Sequence, residues 1–229
     1  MDISYIYHSG FLAETADAYY IFDYYRGEIP IKDAGKPVFV FVSHRHPDHY
    51  NPQVFGILRR MGAERITGIL ASDIKSRNYP ADENIISAAP DKKYILDSGA
   101  QVETLRSTDR GVAFVLTSKD KDAGKDVTVY HAGDLNDWVW EGEPESENRQ
   151  MTGRYRKEID KLKGRHIDAA FVPLDPRQES FCDRGMKYFL DTVDVDAVYP
   201  MHYWDQPWVI EAFAKKYPQY ANKVRKNTD

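Results

Sequence analysis

The alternation of apolar and polar positions changes period along the chain, and each change predicts an element. Residues 3–8 and 18–23 are runs rich in Ile, Tyr and Phe, separated by the turn-capable Ser9-Gly10 and the polar Glu14-Thr15-Ala16-Asp17; they predict two strands of an opening meander. Lys36-Pro37 then introduces Val38-Phe39-Val40-Phe41-Val42, an unbroken run of the kind buried on both faces, which predicts a core strand ending at His44. Pro52 opens a stretch with Val54, Ile57, Leu58 and Met61 at the spacing of one helical face. Further strands are expected over 66–71, 93–96, 101–105, 112–117 and 127–131, with 119–125 as a polar hairpin tip. An amphipathic helix over 147–163 would put Met151, Tyr155, Ile159 and Leu162 on one side. A strand over 167–172, a helix over 183–192, a strand over 195–201 and a last helix over 206–217 complete the pattern, whose order fits sheets with helices on their outer faces.

Composition narrows this to an ordinary globular chain. With 229 residues, 42% hydrophobic and 13% aromatic, it can bury one substantial core, and a single domain over 1–229 is expected. A net charge of −5 provides no broad basic field, so long nucleic acid is not an expected partner. No apolar stretch approaches the roughly 18 residues of a membrane span, and no Lys/Arg-led apolar run opens the chain, so neither a span nor a signal peptide is expected. Cys182 is the only cysteine, which rules out an intramolecular disulfide and makes the cytoplasm the default compartment. It has no nucleophile signature around it. The expected partner is a small-molecule substrate, with self-association left open.

The candidate chemistry sits just past the core strand. His44-Arg45-His46-Pro47-Asp48-His49 packs three histidines and an aspartate into six residues, and neutral imidazole and carboxylate are the groups that a borderline cation such as Zn²⁺ accepts. On extended backbone His44 and His46 point to one side, whereas Asp48 and His49, past the bend at Pro47, can serve a second position. That geometry suits two metal ions.

The string Ser43-His44-Arg45-His46-Pro47-Asp48-His49 resembles the H-x-H-x-D-H signature of the metallo-β-lactamase superfamily. Asp23 after an early strand, His131-Ala132-Gly133-Asp134 after a late one and Pro200-Met201-His202 after the final one match its further motifs in order. His8-Ser9-Gly10-Phe11 is similar to the first hairpin of the L-ascorbate-6-phosphate lactonase-like branch. The strings Ser107-Thr108-Asp109 and Gly133-Asp134-Leu135-Asn136-Asp137-Trp138 look like a subgroup of bacterial metal-dependent hydrolases. The resemblance implies an α/β fold, a four-layer αβ/βα sandwich with metals at one edge. It implies His44 and His46 on a first metal, Asp48, His49 and His202 on a second, Asp134 bridging both, and Asp23 orienting a ligand imidazole. One departure stands out, because the superfamily's third histidine for the first metal falls where this chain has Arg106-Ser107-Thr108-Asp109-Arg110-Gly111. Asp109 is the nearest replacement, its rival role being a cap on the turn before Gly111.

Around the metals, Asn136, Trp138 and Trp140 would lie at the mouth of the site, the tryptophans either walling a pocket or covering the core edge. Arg177 would clamp an anionic substrate group or pair with Asp175. Tyr203 is a similar pocket candidate, His8 would meet a substrate oxygen or support a ligand, and His166 reads as a surface residue. The implied reaction is hydrolysis of a small, anionic or neutral, ester or lactone by a metal-bound hydroxide, using one or two Zn²⁺, with Mn²⁺ or Fe as substitutes, and Asp48 orienting the water or shuttling its proton. The alternatives are a phosphodiesterase acting on a nucleotide or nucleic-acid end, an iron oxidoreductase on the same scaffold, and a non-catalytic metal-binding or regulatory protein that lost the third histidine. The oxidoreductase relatives carry an appended flavin domain for which this chain has no room.

Overall fold

A computed structural model describes residues 1–227 except residue 123. The first sheet gathers β1 (Asp2–Tyr7), β2 (Gly10–Glu14), β3 (Tyr19–Phe22), β4 (Val38–Val42), β5 (Ile66–Ala71) and β6 (Asn84–Ala88) in that order, with α1 (Gln53–Arg60) between β4 and β5. The second runs from β7 (Lys93–Ile95) through β8 (Gln101–Arg106), β9 (Val112–Asp120), β10 (Lys125–His131) and β11 (His166–Pro173) to β12 (Asp194–Met201). Helix α2 (Glu145–Ile159) links β10 to β11, α3 (Arg184–Thr192) links β11 to β12, and α4 (Trp208–Lys216) follows β12. Both sheets are mixed: antiparallel at β1–β3 and β7–β10, parallel from β3 to β6 and from β10 to β12.

The layering follows from alternation along the strands. In β4, Phe39 and Phe41 face the second sheet, and Phe41 meets Phe114 of β9 at 5.2 Å between ring centres. Val38, Val40 and Val42 face the other way and share a cluster with Val54, Phe55 and Leu58 of α1, each worth about 1.5–3 kcal/mol of burial. Phe11 of β2 stacks on Phe171 of β11 at 4.2 Å, closing the space between the sheets. On the far side Tyr130 stacks on Phe189 of α3, and Tyr155 and Ile159 of α2 are buried. The result is the expected four-layer α/β sandwich, helix outside each of two facing sheets.

Two strands escaped the pattern. Residues 10–14 form β2 and pair with both β1 and β3, where turn and polar signals were expected; Gly10-Phe11-Leu12-Ala13 is buried on both faces, so it shows no alternation and has no β-branched residue. Edge strand β6 is short and half exposed. The 147–163 helix begins two residues earlier, at Glu145, and its last turn tightens into a 3₁₀ turn over Asp160–Leu162. Among the described residues no helix is long and apolar enough to cross a membrane.

This topology delivers chemistry to one edge. The C-terminal ends of β3, β4, β10, β11 and β12 and the β1–β2 and β8–β9 turns all open there. The sheets are stitched at that edge by hydrogen bonds from the Val112 amide to the Ser43 carbonyl (2.9 Å) and from the His131 ring to the Ser9 carbonyl (2.9 Å).

Candidate metal centre

Three imidazoles are held from behind, so that their Nε2 atoms face a common space. His49 Nδ1 is 2.7 Å from Asp23 Oδ2, and His202 Nδ1 is 2.8 Å from Asp175 Oδ2, so each ring donates backwards and leaves a lone pair in front. Ser43 Oγ donates to Asp23 (2.6 Å) and is therefore free to accept from His44 Nδ1 at 3.0 Å. His46 presents Nδ1 instead, 2.9 Å from His44 Nε2. Two lone pairs cannot sit that close unless a proton or a cation lies between them.

Asp134 joins these groups. Its Oδ2 lies 3.4 Å from His44 Nε2, while its Oδ1 lies 3.2 Å from His49 Nε2 and 3.5 Å from His202 Nε2, so the two oxygens of one carboxylate look toward different clusters. Ligand atoms of His44, His46, Asp109 and Asp134 lie within 4.8 Å of one another, and so do those of His8, Asp48, His49 and His202. Asp109 Oδ2 is 3.7 Å from His46 Nδ1, and the turn before Gly111 uses the Ser107 hydroxyl, not the Asp109 carboxylate, to accept the Asp109 amide.

His8 lies in the second cluster, its Nε2 at 3.5 Å from Asp48 Oδ2. Both of its ring nitrogens, His49 Nε2, His202 Nε2 and Asp134 Oδ1 are buried without a hydrogen-bond partner. Each such orphan costs about 1–3 kcal/mol. Of these, one nitrogen each of His8, His49 and His202, together with Asp134 Oδ1, face one space, and such a set of donors fits a divalent cation. His8, Asp23 and His202 also hold positive φ (57°, 41° and 63°), a region that non-glycine residues rarely occupy and that recurs at functional sites.

The charges are arranged accordingly. Burial pushes the His44 imidazole down to about 3, keeping it neutral as a ligand must be. Burial alone would raise Asp48, yet His8 and His49 hold its carboxyl low; Asp134 is likewise held well below its usual range by His49 and His202 against its burial. His49 is fully buried, which disfavours its charged form, but Asp134 and Asp23 outweigh this and raise it well above an ordinary histidine. In the metal-free protein these two carboxylates favour the charged form of His49. Its stabilisation is complete below the unfolded value of about 6.5 and is lost as pH rises through the raised folded value. Zinc uptake at pH 7 should release about one proton from this ring, and affinity should fall on acidification. Binding enthalpies measured in buffers of different ionisation heat check this; a proton count of zero would mean His49 is already neutral.

A cavity of about 370 Å³ opens in front, lined among others by His46, Asp48, Asp134, Trp138, Arg177 and His202. Trp138 and Trp140 both line it, their indoles parallel at 6.1 Å, and Trp138 Nε1 donates to the Asp134 carbonyl. Other expected pocket residues sit elsewhere. Asn136 is buried behind the wall, donating to Gln178, and Tyr203 is buried with its ring on Tyr5. Arg177 faces the cavity, but Nε and Nη2 are both spent on Asp175 and its guanidinium lies 4.7 Å over Trp204. His166 is exposed between Asp194 and Asp196, and Cys182 has its thiol pushed up by burial.

Ser43 and His131 had no role assigned from sequence. His131 Nε2 holds the Ser9 carbonyl while its Nδ1 accepts the Gly133 amide (3.0 Å), fixing the turn that aims Asp134. The only signal for either was adjacency to a ligand motif. Asp23→Asn should leave the chain folded and lower metal affinity roughly 10–100-fold, because the carboxylate behind His49 sharpens that ring's basicity. Competition with a chelator would measure it.

A family model described as "Beta-lactamase superfamily domain" matches residues 2–147. The chain belongs to the β-lactamase superfamily. Similar solved structures include a metallo hydrolase from the archaeon Ignicoccus hospitalis (20% identity, TM-score 0.62, 97% of this chain and 93% of that one). A candidate metal-dependent hydrolase from Parabacteroides distasonis has 18% identity and TM-score 0.60 over 99% and 93%. A diiron β-hydroxylase, CmlA, from Streptomyces venezuelae has 11% identity and TM-score 0.58 over 97% and 52%. No curated protein matches. At these identities the neighbours establish the superfamily fold, with metal-dependent chemistry of more than one kind named on it.

Proposed function

We propose that this β-lactamase-superfamily chain is a hydrolase of small esters or lactones that works with two divalent cations, Zn²⁺ first and Mn²⁺ or Fe as substitutes. One would be held by His44, His46, Asp109 and Asp134, the other by Asp48, His49, His202 and Asp134, with His8 alongside. The observation that carries this is the split of Asp134, Oδ1 toward His49 and His202 and Oδ2 toward His44. Bound there, the cations would acidify a water and polarise the scissile carbonyl.

The chain's own groups do the rest. Asp48, half-buried and kept ionised by His8 and His49, accepts a hydrogen bond from the attacking water and orients it. Asp23 and Asp175 hold His49 and His202 in the tautomer that points Nε2 forward. The parallel indoles of Trp138 and Trp140 give the substrate an apolar wall and keep bulk water out. Against a non-catalytic role for want of the third histidine, a carboxylate at 3.7 Å from His46 Nδ1 is available in its stead. The first-hairpin resemblance favours a lactone among esters. Assays of the Zn²⁺- and Mn²⁺-loaded protein on lactones, carboxylic esters and phosphodiesters test the reading. Turnover of a lactone or ester, lost in Asp48→Ala, is expected; silence across the panel would sink it, and preference for phosphodiesters would replace it.

A further inference from the structure

His8 is the buried imidazole of the metal edge that no side chain or carbonyl holds. Its side chain is 1% exposed, and among the described residues neither ring nitrogen has a hydrogen-bond partner. The other buried rings there are each tied at one nitrogen: His44 to Ser43, His49 to Asp23, His202 to Asp175 and His131 to the Ser9 carbonyl. A ring closed off from water in this way has nothing to offset its lost hydration, about 1–3 kcal/mol for each polar atom.

Its aim comes from the backbone instead. His8 stands at φ +57° in the β1–β2 turn, its amide donates to the Tyr5 hydroxyl at 2.8 Å, and its carbonyl accepts from the His202 amide at 3.4 Å. Gly10 closes that turn where a Cβ would fall 2.9 Å from the Tyr7 carbonyl oxygen. The ring packs against those of His202 and Trp204, each at 4.4 Å between centres. Its Nε2 is thereby set 3.5 Å from Asp48 Oδ2, an oxygen that is also 3.8 Å from His49 Nε2 and 3.9 Å from His202 Nε2. Asp134 Oδ1 completes the set at 3.2 Å from His49 Nε2 and 3.5 Å from His202 Nε2. Zinc bonds of about 2.0–2.1 Å place tetrahedral ligand atoms about 3.3 Å apart, so these separations suit atoms gathered around one ion.

We propose that His8 is the third imidazole of the second metal position, and that this position fills before the first and holds its ion more tightly. This rests on the two-cation reading of the site. The second position would combine three imidazoles, each no more than 3% exposed, with Asp48 and Asp134. The first has two imidazoles and two carboxylates, and its His46 and Asp109 are 39% and 43% exposed. Imidazole is a donor that suits Zn²⁺, and a buried ligand shell limits access of water to the ion.

The test gives one equivalent of Zn²⁺ to the chelator-stripped protein and counts imidazoles on the metal by X-ray absorption. Three are expected in the wild type and two in His8→Asn, asparagine being a residue that tolerates positive φ. Two in the wild type would overturn the proposal, because His44 with His46, or His49 with His202, would account for them. The wild-type count decides even if His8→Asn fails to fold. Competition with a chelator should resolve two binding steps, His8→Asn raising the Kd of the tighter at least about tenfold and Asp109→Ala acting on the weaker. An unchanged tighter step in His8→Asn, or its loss in Asp109→Ala, would equally overturn the proposal. A single step with three imidazoles would support His8 as a ligand and strike the first metal from the proposed function. Metal is read here without turnover, so silence in the ester and lactone assays would count against the hydrolase reading alone.

Discussion

Asp134→Ala is expected to release both metal ions at once and to lower turnover roughly 10³-fold, the equivalent of the several kcal/mol that a metal's charge stabilisation supplies. Single substitutions elsewhere should act on one position. Asp109→Ala removes a group that is half exposed at the cavity rim and should cost one metal, while the buried His49 cluster keeps the other. The difference arises because Asp134 alone has an oxygen toward each cluster. Elemental analysis after dialysis, alongside kcat, checks the prediction. If Asp134→Ala retained one equivalent of metal with most of its activity, the bridging role would be wrong. His166→Ala, on an exposed His–Asp cluster at the opposite ends of β11 and β12, provides the control and should change neither quantity.

Gly111→Ala should be the most destabilising small substitution at this edge. Gly111 has a φ of +67°, and a Cβ there would fall 1.9 Å from the Ser43 carbonyl oxygen, with the His44 Cβ only 2.7 Å away. The left-handed backbone alone costs about 1–2 kcal/mol. Backbone cannot yield to the clash as a flexible side chain would, so the total should reach about 3 kcal/mol, which lowers Tm by about 6–12 °C in a chain of this size. Loss of metal should accompany it, because the displaced segment is the one that sets His44. Gly133, at φ +51° and with its own Cβ position 2.5 Å from Ser43 Cβ, presses on the same residue from β10. Ser43 is thus gripped from two turns of the second sheet while its hydroxyl ties His44 to Asp23. A melting curve of Gly111→Ala that overlaid the wild type would show that the β8–β9 turn can move away.

The placement of aromatic and charged groups explains why part of the site could be read without coordinates. Phe39 and Phe41 alternate with three valines in β4, so the strand's double burial is written in consecutive residues, and the ligand motif follows it directly. Asp134 and His202 also follow strands, β10 and β12, whose C-terminal ends are buried. In each case a short stretch of chain encodes both the strand and the ligand at its exit. The element without such a record was β2, whose Gly-Phe-Leu-Ala is a strand only because β1 and β3 flank it. Asn136 and Tyr203 were misplaced for a related reason. Each lies one or two residues past a ligand candidate, Asp134 or His202, and that offset suffices to turn a side chain behind the wall.

By itself the sequence determined the α/β class, the strand exits that bear His44–His49, Asp134 and His202, and the membership that those motifs suggested. Such features are local, set by periodicity and by residue type within about ten positions. Only the tertiary structure decided which atoms of those residues face one another. It directed Asp109 toward His46 instead of its own turn, brought His8 beside Asp48 and His202, put Asp23 and Asp175 behind His49 and His202, and spent Arg177 on Asp175. These contacts join segments as far apart as residues 8 and 202. Distances of that kind are fixed by the packing of one sheet on the other, through aromatic pairs such as Phe11–Phe171, and no local pattern encodes them.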